Sequence, residues 1–409
     1  MERFRLASGL EVCLLANRQA PIVTTVLLYR VGGRDEAPGQ SGSAHFLEHM
    51  MFKGSARYGP GEIDRRTQGL GGNNNAFTSH DLTAYYFSFS ADRWHEALAI
   101  ERDRMTALTL DPTEVASERQ VILEELAMYR DEPWDALELE VQAELFRGHP
   151  YGTPVLGTAR DLESIDRESL AEFQGRYYRT ANALLVVAGD LGAETAERVE
   201  AEFGDLSSAT IERPPVAAAP VPDGARRLER RHGEVGRLLL ALPAPAPEHP
   251  DHAGLRLLAT LLGGGRTSRL YRTFVDVGQL CLAASCALAE AEVASHLACS
   301  FEMLPDGDPS DVERRLADEL ASLRELPIGD EELERGKQIL LADWVFQLER
   351  IHQQAITAAL AIAQGDLEQP EKLVRRALEC DTAELTRLAQ RYLDPRAGSV
   401  FGLSLPETG

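Results

Sequence analysis

Two histidines and a glutamate fall within five consecutive residues, in the order His45-Phe46-Leu47-Glu48-His49. Residues four apart on a helix lie on the same face, so both imidazoles can bind one metal ion. Glu48 follows His45 by three residues and leans over that face, where it can take a proton from a water on the metal. The residues around the motif are hydrophobic, which indicates a helix embedded in a core and argues against two solvated surface histidines. The pattern therefore predicts a metal site with Glu48 as general base.

The third metal ligand must come from another segment, because a catalytic zinc ion takes three protein ligands and keeps a fourth position for water. A predicted helix at 113–129 carries three candidates, Glu118, Glu124 and Glu125. Glu118 and Glu125 are seven residues apart and share one face, whereas Glu124 is turned by roughly 100° from Glu125. The spacing leaves open which of Glu118 and Glu125 binds the metal and which orients a ligand histidine from outside.

The elements that position these residues alternate between strand and helix. Runs rich in β-branched and aromatic residues predict strands at 22–31 and 83–90. Helical periodicity predicts helices at 43–52, 91–107 and 113–129. Asp111 is the expected N-terminal cap of the last of these helices. This alternation predicts an α+β fold in which helices pack on a mostly antiparallel sheet.

An internal repeat divides the chain. Five residues of the first half recur by type 215 positions later: Asp166, Leu170, Phe173, Arg176 and Tyr177 correspond to Asp381, Leu385, Leu388, Arg391 and Tyr392. A second match begins at Glu114 and Glu332, with an offset of 218. Residues 207–225 are rich in Pro, Ala and Gly, a composition that resists helix and sheet. The sequence therefore predicts two homologous α+β domains, 1–206 and 226–409, joined by a linker at 207–225.

The composition limits the classes of partner. The 409 residues include 65 acidic and 42 basic side chains, for a net charge of -23. This balance argues against nucleic acid or an anionic membrane as a partner, and no apolar stretch is long enough to insert into a bilayer. The five cysteines form no C-x-x-C pair and are expected to be reduced and mostly buried. The N-terminus has no apolar leader segment, so the expected compartment is the cytoplasm, or the periplasm if a signal peptide has been removed.

The residues from Gly42 to Gly54 closely resemble the pitrilysin, insulysin and mitochondrial processing peptidase family of zinc peptidases. Members of that family carry the His-x-x-Glu-His order, the inverse of the commoner zinc-peptidase motif. The similarity continues through 71–78, 118–125 and 148–152, and extends more weakly into the second half. The resemblance therefore implies a zinc-dependent endopeptidase.

The same resemblance assigns roles to individual residues. It implies one zinc ion held by His45, His49 and Glu125, and it makes Glu118 a carboxylate outside the ligand set. Glu48 is then the general base. With the resemblance, the choice that the spacing left open falls on Glu125 as the third ligand.

The resemblance also implies how a peptide binds. In the family an extended peptide adds as a strand to a sheet edge beside the metal, and the residues that match this edge are Asn75, Ala76 and Phe77. Backbone hydrogen bonds would hold any extended peptide, and pockets would select among its side chains. Asn73 and Asn74, which precede this segment, are expected to form only a turn.

The second half departs from the first at the metal site. Carried across the repeat, the three residues of the histidine motif correspond to Leu255, Leu258 and Ala259. Glu118 and Glu125 correspond to Gly336 and Asp343, and the second half is expected to bind no metal. Family members with a self-sufficient catalytic chain usually carry an arginine and a tyrosine further on in this half. Val275 and Leu282 occupy those positions here, and neither can donate a hydrogen bond to an oxyanion.

This departure predicts the assembly. We expect a heterodimer in which a homologous, non-catalytic subunit supplies the missing arginine and tyrosine. The alternative is a non-catalytic core or assembly subunit of the same fold.

Overall fold

The computed structural model describes residues 1–206, 211, 213–305 and 307–407. The strands are β1 (Glu2–Arg5), β2 (Glu11–Ala16), β3 (Ile22–Tyr29), β4 (Asn73–Thr78), β5 (Thr83–Ser90), β6 (Ala183–Gly189), β7 (Ala225–Arg231), β8 (Arg237–Ala244), β9 (Cys281–Glu290), β10 (Ser295–Met303) and β11 (Ser399–Leu405). The helices are α1 (Ser43–Met50), α2 (Glu62–Gly69), α3 (His95–Ala107), α4 (Pro112–Asp131), α5 (Pro133–Leu145), α6 (Ala159–Ser164), α7 (Arg167–Tyr177), α8 (Thr195–Phe203), α9 (His252–Gly263), α10 (Arg269–Tyr271), α11 (Pro309–Glu325), α12 (Asp330–Gln347), α13 (Ile351–Ala363), α14 (Gln369–Glu379) and α15 (Thr382–Tyr392). A π-helical turn at Arg272–Val277 follows α10, and 3-10 turns occur at Gly33–Asp35, Pro150–Gly152, Thr180–Asn182 and Pro395–Ala397.

The strands form two sheets of closely related topology. One has six strands in the order β1-β2-β6-β3-β5-β4, and the other has five in the order β7-β11-β8-β10-β9. In each sheet one neighbouring pair is parallel, β2 with β6 and β7 with β11, and the remaining pairs are antiparallel. The expected α+β class, with mostly antiparallel sheets packed with helices, is therefore confirmed.

The helices follow the repeat that the sequence predicted. The bounds of α7 and α15 differ by 215 positions, and each helix follows an aspartate whose side chain accepts a backbone N–H of the first turn, Asp166 and Asp381. The bounds of α5 and α13 differ by 218 positions. Matching helix lengths and matching strand orders show that the two halves share one fold.

Two compact units contain these sheets, and both are discontinuous in sequence. The six-stranded unit comprises Met1–Leu126, Thr153–Pro215 and Phe346–Glu368, and the five-stranded unit comprises Ala127–Gly152, Val216–Val345 and Gln369–Gly409. The division expected from the sequence, 1–206 and 226–409, was continuous. Of the expected linker at 207–225, residues 207–210 and 212 lie outside the described residues, and the remainder up to Gly224 forms neither helix nor strand.

The discontinuity arises because two helices pack on the sheet of the opposite half. Helix α5 packs on β11 and β8 in the five-stranded unit, and α13 packs on β6 and β3 in the six-stranded unit. The face of α13 toward the sheet is apolar, with Ile351, Ala355 and Ala359 buried. Each sheet therefore buries one of its faces under a helix that its own half of the sequence does not contain.

The predicted elements near the histidine motif are present with shifted ends. Helix α1 ends at Met50, two residues earlier than expected, and α3 begins at His95 and not at residue 91. The Asp111 carboxylate accepts the Thr113 N–H at 2.8 Å, as expected of a cap for α4. None of the described helices is both long and apolar enough to cross a membrane.

Candidate metal centre

Helix α1 holds both histidines of the motif, and its packing fixes their direction. Phe46, Leu47 and Met50 are buried in the core beneath the six-stranded sheet, so the histidine face of the helix turns away from that core. The helix begins at Gly42, whose φ of 95° favours glycine. A Cβ at this position would lie 2.7 Å from the Leu156 carbonyl oxygen, so the close approach also requires glycine.

The first turn of α1 is capped by a carboxylate from outside the helix. Glu36 Oε2 accepts the Gly42 N–H at 2.8 Å, and Glu36 Oε1 accepts the Ala44 N–H at 2.8 Å. These backbone donors would otherwise lack partners at the helix start. Burial raises the pKa of the Glu36 carboxyl to about 8, and the two N–H donors offset this rise only in part.

Three side chains converge where the motif predicted a metal. The Glu125 Oε2 atom lies 3.8 Å from His45 Nε2 and 3.6 Å from His49 Nε2. All three ligand atoms lie within 4.8 Å of one another. Among the described residues, no other group of three or more His, Cys, Asp or Glu side chains is arranged to hold a metal. The side chains of His45, His49 and Glu125 are 13%, 21% and 32% exposed, respectively, so water and substrate can reach the position between them.

This donor set fits zinc. Two imidazole nitrogens and one carboxylate oxygen are a known ligand set of catalytic zinc sites. With zinc–ligand bonds of about 2.0–2.2 Å, tetrahedral ligand atoms lie roughly 3.3–3.6 Å apart. The two separations from Glu125, 3.6 Å and 3.8 Å, are close to this range.

Glu118 lies on the other side of His49. Its Oε1 atom is 2.9 Å from His49 Nδ1, and its Oε2 atom is 2.6 Å from Lys53 Nζ. An ionised carboxylate only accepts hydrogen bonds, so Nδ1 carries a proton and Nε2 is the ring nitrogen that faces Glu125. Glu125 therefore stands beside both Nε2 atoms, and Glu118 contacts the nitrogen of His49 that points away from them.

The two histidines differ in their electrostatic surroundings. Burial, helped by the nearby His49, lowers the pKa of His45 to about 4. Burial also acts to lower the pKa of His49, but the hydrogen bond and charge of Glu118, with the charges of Glu48 and Glu125, outweigh it and raise that pKa. For Glu118, burial is outweighed by its bonds to His49 and Lys53, so its pKa is lowered. These carboxylates give the site the negative charge that a divalent cation requires.

Glu48 lies on the same helix and is partly buried. Its Oε2 atom accepts a hydrogen bond from Thr78 Oγ1 at 2.5 Å. Burial raises the pKa of Glu48, although the Thr78 hydroxyl and His49 oppose this shift. A raised carboxyl pKa suits a group that must take and return a proton near neutral pH.

The segment expected to bind substrate is strand β4, which contains Asn75, Ala76 and Phe77 and ends the six-stranded sheet. Ala76 packs toward the core beneath α1, and Phe77 packs on the opposite face, toward α13. The Ala76 N–H donates to Asn75 Oδ1 at 2.9 Å. Because this N–H bonds to a side chain, and N–H groups of an edge strand alternate between the paired and the open side, we infer that it faces the open edge of the sheet.

The turn expected at Asn73 and Asn74 was wrong. Both residues belong to β4, paired with Ser88 and Phe87 of β5. The Asn74 Nδ2 donates to Asp64 Oδ1 on helix α2 at 2.9 Å, and this contact stabilises asparagine within a strand. Local propensity favoured a turn, but pairing with β5 outweighed it.

The second half fills the equivalent region with packed apolar groups. Leu255, Leu258 and Ala259 are buried on α9. Gly336 on α12, the counterpart of Glu118, approaches this helix so closely that a Cβ would lie 2.4 Å from Leu261 Cδ2. Of the five counterpart positions only Asp343, opposite Glu125, carries a metal-binding side chain, and it is exposed on α12.

Glu36 and Lys53 were given no role from the sequence, and Thr78 was included only in the segment that matches the substrate-binding edge. Lys53 stands four residues after His49, a helical spacing that could have suggested a common partner. Glu36 and Thr78 reach α1 from a loop and from a strand, and no local spacing connects them to the histidine motif.

Comparisons with known proteins agree with this architecture. Residues 11–159 match the family model described as insulinase (peptidase family M16), and residues 164–340 match the one described as peptidase M16 inactive domain. The chain is 28% identical to the zinc protease PqqE of Helicobacter pylori, over 98% of this chain and 92% of that protein. It is 29% identical to an uncharacterized zinc protease of Mycobacterium leprae, over 97% and 90%.

A solved structure extends the likeness to three dimensions. The crystal structure of a protease from Helicobacter pylori superposes with a TM-score of 0.94 at 26% identity, covering 99% of both chains. The matches span both halves, including the region of the histidine motif and the half without a metal site. The chain therefore belongs to the M16 family of insulinase-like peptidases, with the insulinase model matched before residue 160 and the inactive-domain model matched from residue 164 onward.

Proposed function

We propose that this chain is a zinc-dependent endopeptidase that hydrolyses extended peptides or unfolded segments. The observation that carries the proposal is the convergence of His45, His49 and Glu125, each with one ligand atom within 4.8 Å of the others, beside a partly buried Glu48. The names of its relatives, which are zinc proteases, support the same activity. One zinc ion on these three residues is the proposed cofactor.

The residues of the chain divide the work of peptide hydrolysis. Bound zinc supplies a Lewis acid that polarises the scissile carbonyl and makes water more acidic. Glu48 takes a proton from the attacking water and later delivers it to the nitrogen of the leaving amine. Glu118 keeps His49 in the tautomer whose Nε2 is free to bind the ion. The raised pKa of Glu48 makes its carboxylate a stronger proton acceptor than an exposed glutamate.

Strand β4 is the proposed platform for the substrate. As the outer strand of its sheet it offers backbone groups to a peptide that adds alongside. In the free chain the Asn75 carboxamide oxygen accepts the hydrogen bond of the Ala76 N–H. A bound peptide would take over this N–H and free the Asn75 amide to bond the substrate backbone. Recognition through the backbone predicts loose sequence preference and a requirement for extended, unfolded substrate.

The test of the catalytic role uses two substitutions with different expected effects. Glu48→Gln should keep zinc and lower turnover by about 10²–10⁴-fold, because it removes the general base. His49→Ala should instead lose the zinc itself, measured by elemental analysis. Peptide cleavage is followed by the release of new amino groups. Near-normal turnover of Glu48→Gln would show that another group is the base.

We further propose that the active form is a heterodimer with a homologous, non-catalytic subunit. Val275 is half-buried and Leu282 is 51% exposed, and neither side chain can donate to a developing oxyanion. A partner with arginine and tyrosine at the matching positions would supply these donors.

The heterodimer is tested by assaying the purified chain on an unfolded peptide with and without such a homologue. Activity is expected only in the mixture, and full activity of the chain alone would contradict the heterodimer proposal. Zinc binding without cleavage in either assay would instead favour the role of a non-catalytic core or assembly subunit.

A further inference from the structure

The general base of the proposed reaction is tied to strand β4 through one side chain. Thr78 is the last residue of β4 and pairs with Thr83 at the start of β5. Its Oγ1 atom donates to Glu48 Oε2 at 2.5 Å. The strand residues Ala76 and Thr78 are two apart, so their side chains share the sheet face that lies against α1.

The geometry of this bond has a direct consequence for the carboxylate. A hydroxyl–carboxylate separation of about 2.5–2.7 Å is typical of a strong, charge-assisted hydrogen bond. Thr78 already donates to Oε2, whereas no described residue donates a hydrogen bond to Oε1, so Oε1 is the more open of the two oxygens for a water molecule. The bond restricts rotation of a carboxyl group that is otherwise attached through three flexible torsions.

We propose that Thr78 is a positioning residue for Glu48: its hydroxyl holds Oε2 so that Oε1 faces the attacking water. This inference rests on the proposed peptidase function. Thr78 also belongs to the strand on which the peptide is proposed to lie, so base and substrate share one rigid element. A small error in the position of a catalytic group costs rate even when all groups are present.

The variants that test the proposal change one group at a time. Thr78→Val keeps the shape of the side chain and removes the hydroxyl, and Thr78→Ser keeps the hydroxyl. Thr24→Val is the matched control, because it removes the Thr24–Ser88 hydroxyl bond of 2.8 Å in the same sheet without touching Glu48. Each variant is made in the full, zinc-loaded chain and assayed with the homologous subunit present, and zinc content and Tm are measured alongside activity.

The expected kinetic result is a loss in kcat that depends on Glu48. Thr78→Val should lower kcat roughly 10- to 100-fold with KM changed less than about 2-fold, as for the loss of a hydrogen bond to a charged group. Thr78→Ser and Thr24→Val should stay within about 3-fold of wild type. In a Glu48→Gln background, Thr78→Val should cause no further loss, because the group that it positions is already gone.

Two results would overturn the inference: an unchanged kcat in Thr78→Val, or an equal loss from Thr78→Val when Glu48 is already Gln. A fully active Glu48→Gln would instead overturn the proposed function. If no assembly of the chain shows turnover, crystal structures of wild type and Thr78→Val decide the question alone. A Glu48 carboxylate that keeps its position and order without the hydroxyl would refute the positioning role, and one that shifts or becomes disordered would support it.

Discussion

At the scale of single residues, the two histidines of the motif are held in different ways. His49 is hydrogen-bonded through Nδ1 to Glu118, which also forms an ion pair with Lys53. Among the described residues His45 Nδ1 is buried without a hydrogen-bond partner, so packing alone fixes that ring. The orientation of His49 in the proposed ligand set therefore depends on Glu118, a residue outside the five-residue histidine motif.

We expect Glu118→Ala to weaken zinc binding by about 10–100-fold while the chain stays folded, because loss of a partner outside the ligand set lets the ligand ring rotate. Zinc affinity is measured by competition with a chelator. Glu124→Ala is the matched control, since Glu124 is exposed on the same helix and should leave the affinity unchanged. Equal affinity in the Glu118 and Glu124 variants would contradict a role for Glu118.

At the scale of elements, the start of α1 depends on Glu36. The helix has no side-chain cap of its own, and Glu36 accepts two of its first N–H groups from a preceding loop. The same helix carries both proposed histidine ligands and the proposed base. The loop before α1 therefore supports the site although it contains none of these three residues.

Glu36 also predicts a pH dependence of stability. Its pKa is raised to about 8 in the folded chain, above the value of 4.5 in the unfolded chain, so the folded state binds the proton more tightly. The resulting contribution to stability is fully present below the unfolded pKa and is lost as pH rises through about 8. Between about pH 5 and about pH 9 the wild type should therefore lose several degrees more in Tm than Glu36→Gln, which does not titrate.

The control for this measurement is Glu62→Gln. Glu62 accepts the Gly59 N–H near the start of α2, but it is exposed. The Tm of Glu62→Gln should change with pH in the same way as that of the wild type across the same range. Parallel curves for wild type and Glu36→Gln would show that Glu36 does not titrate as burial predicts.

At the scale of the whole molecule, the exchanged helices make each unit depend on both halves of the sequence. Val26, Leu28 and Val186 lie on the face of the six-stranded sheet that α13 covers, and all three are fully buried. Without α13 this face would be a contiguous apolar surface, which promotes aggregation. The loss of either half therefore affects both sheets.

We expect a fragment of residues 1–206 to aggregate or to unfold at low temperature, because α13 lies outside it. A fusion of residues 1–126, 153–206 and 346–368 restores the covering helix and omits α5, whose apolar face packs on the other sheet, so it should be monomeric with a distinct thermal transition. The same fusion without residues 346–368 should aggregate. Size-exclusion chromatography and circular dichroism compare the two. A stable, monomeric 1–206 fragment would mean that its sheet does not need α13.

The features that the sequence predicted by itself are those governed by local periodicity. The spacing of His45 and His49 placed them on one helix face, and the offset of 215 positions predicted the matched helices α7 and α15. The absence of metal-binding side chains at Leu255 and Leu258 was also readable, because the duplication aligns those positions with the motif. Such features need only the geometry of a single helix or the comparison of two segments.

The tertiary structure decided what local spacing could not. Glu118 and Glu125 are equivalent by helical geometry, and only the packing of α4 against α1 brings Glu125 beside both Nε2 atoms and Glu118 to Nδ1 of His49. The bond from Thr78 to Glu48 and the exchange of α5 and α13 likewise join residues far apart in the chain. Contacts of this kind depend on how buried surfaces fit together, and the repeat of apolar residues along one helix specifies which face is buried but not which partner covers it.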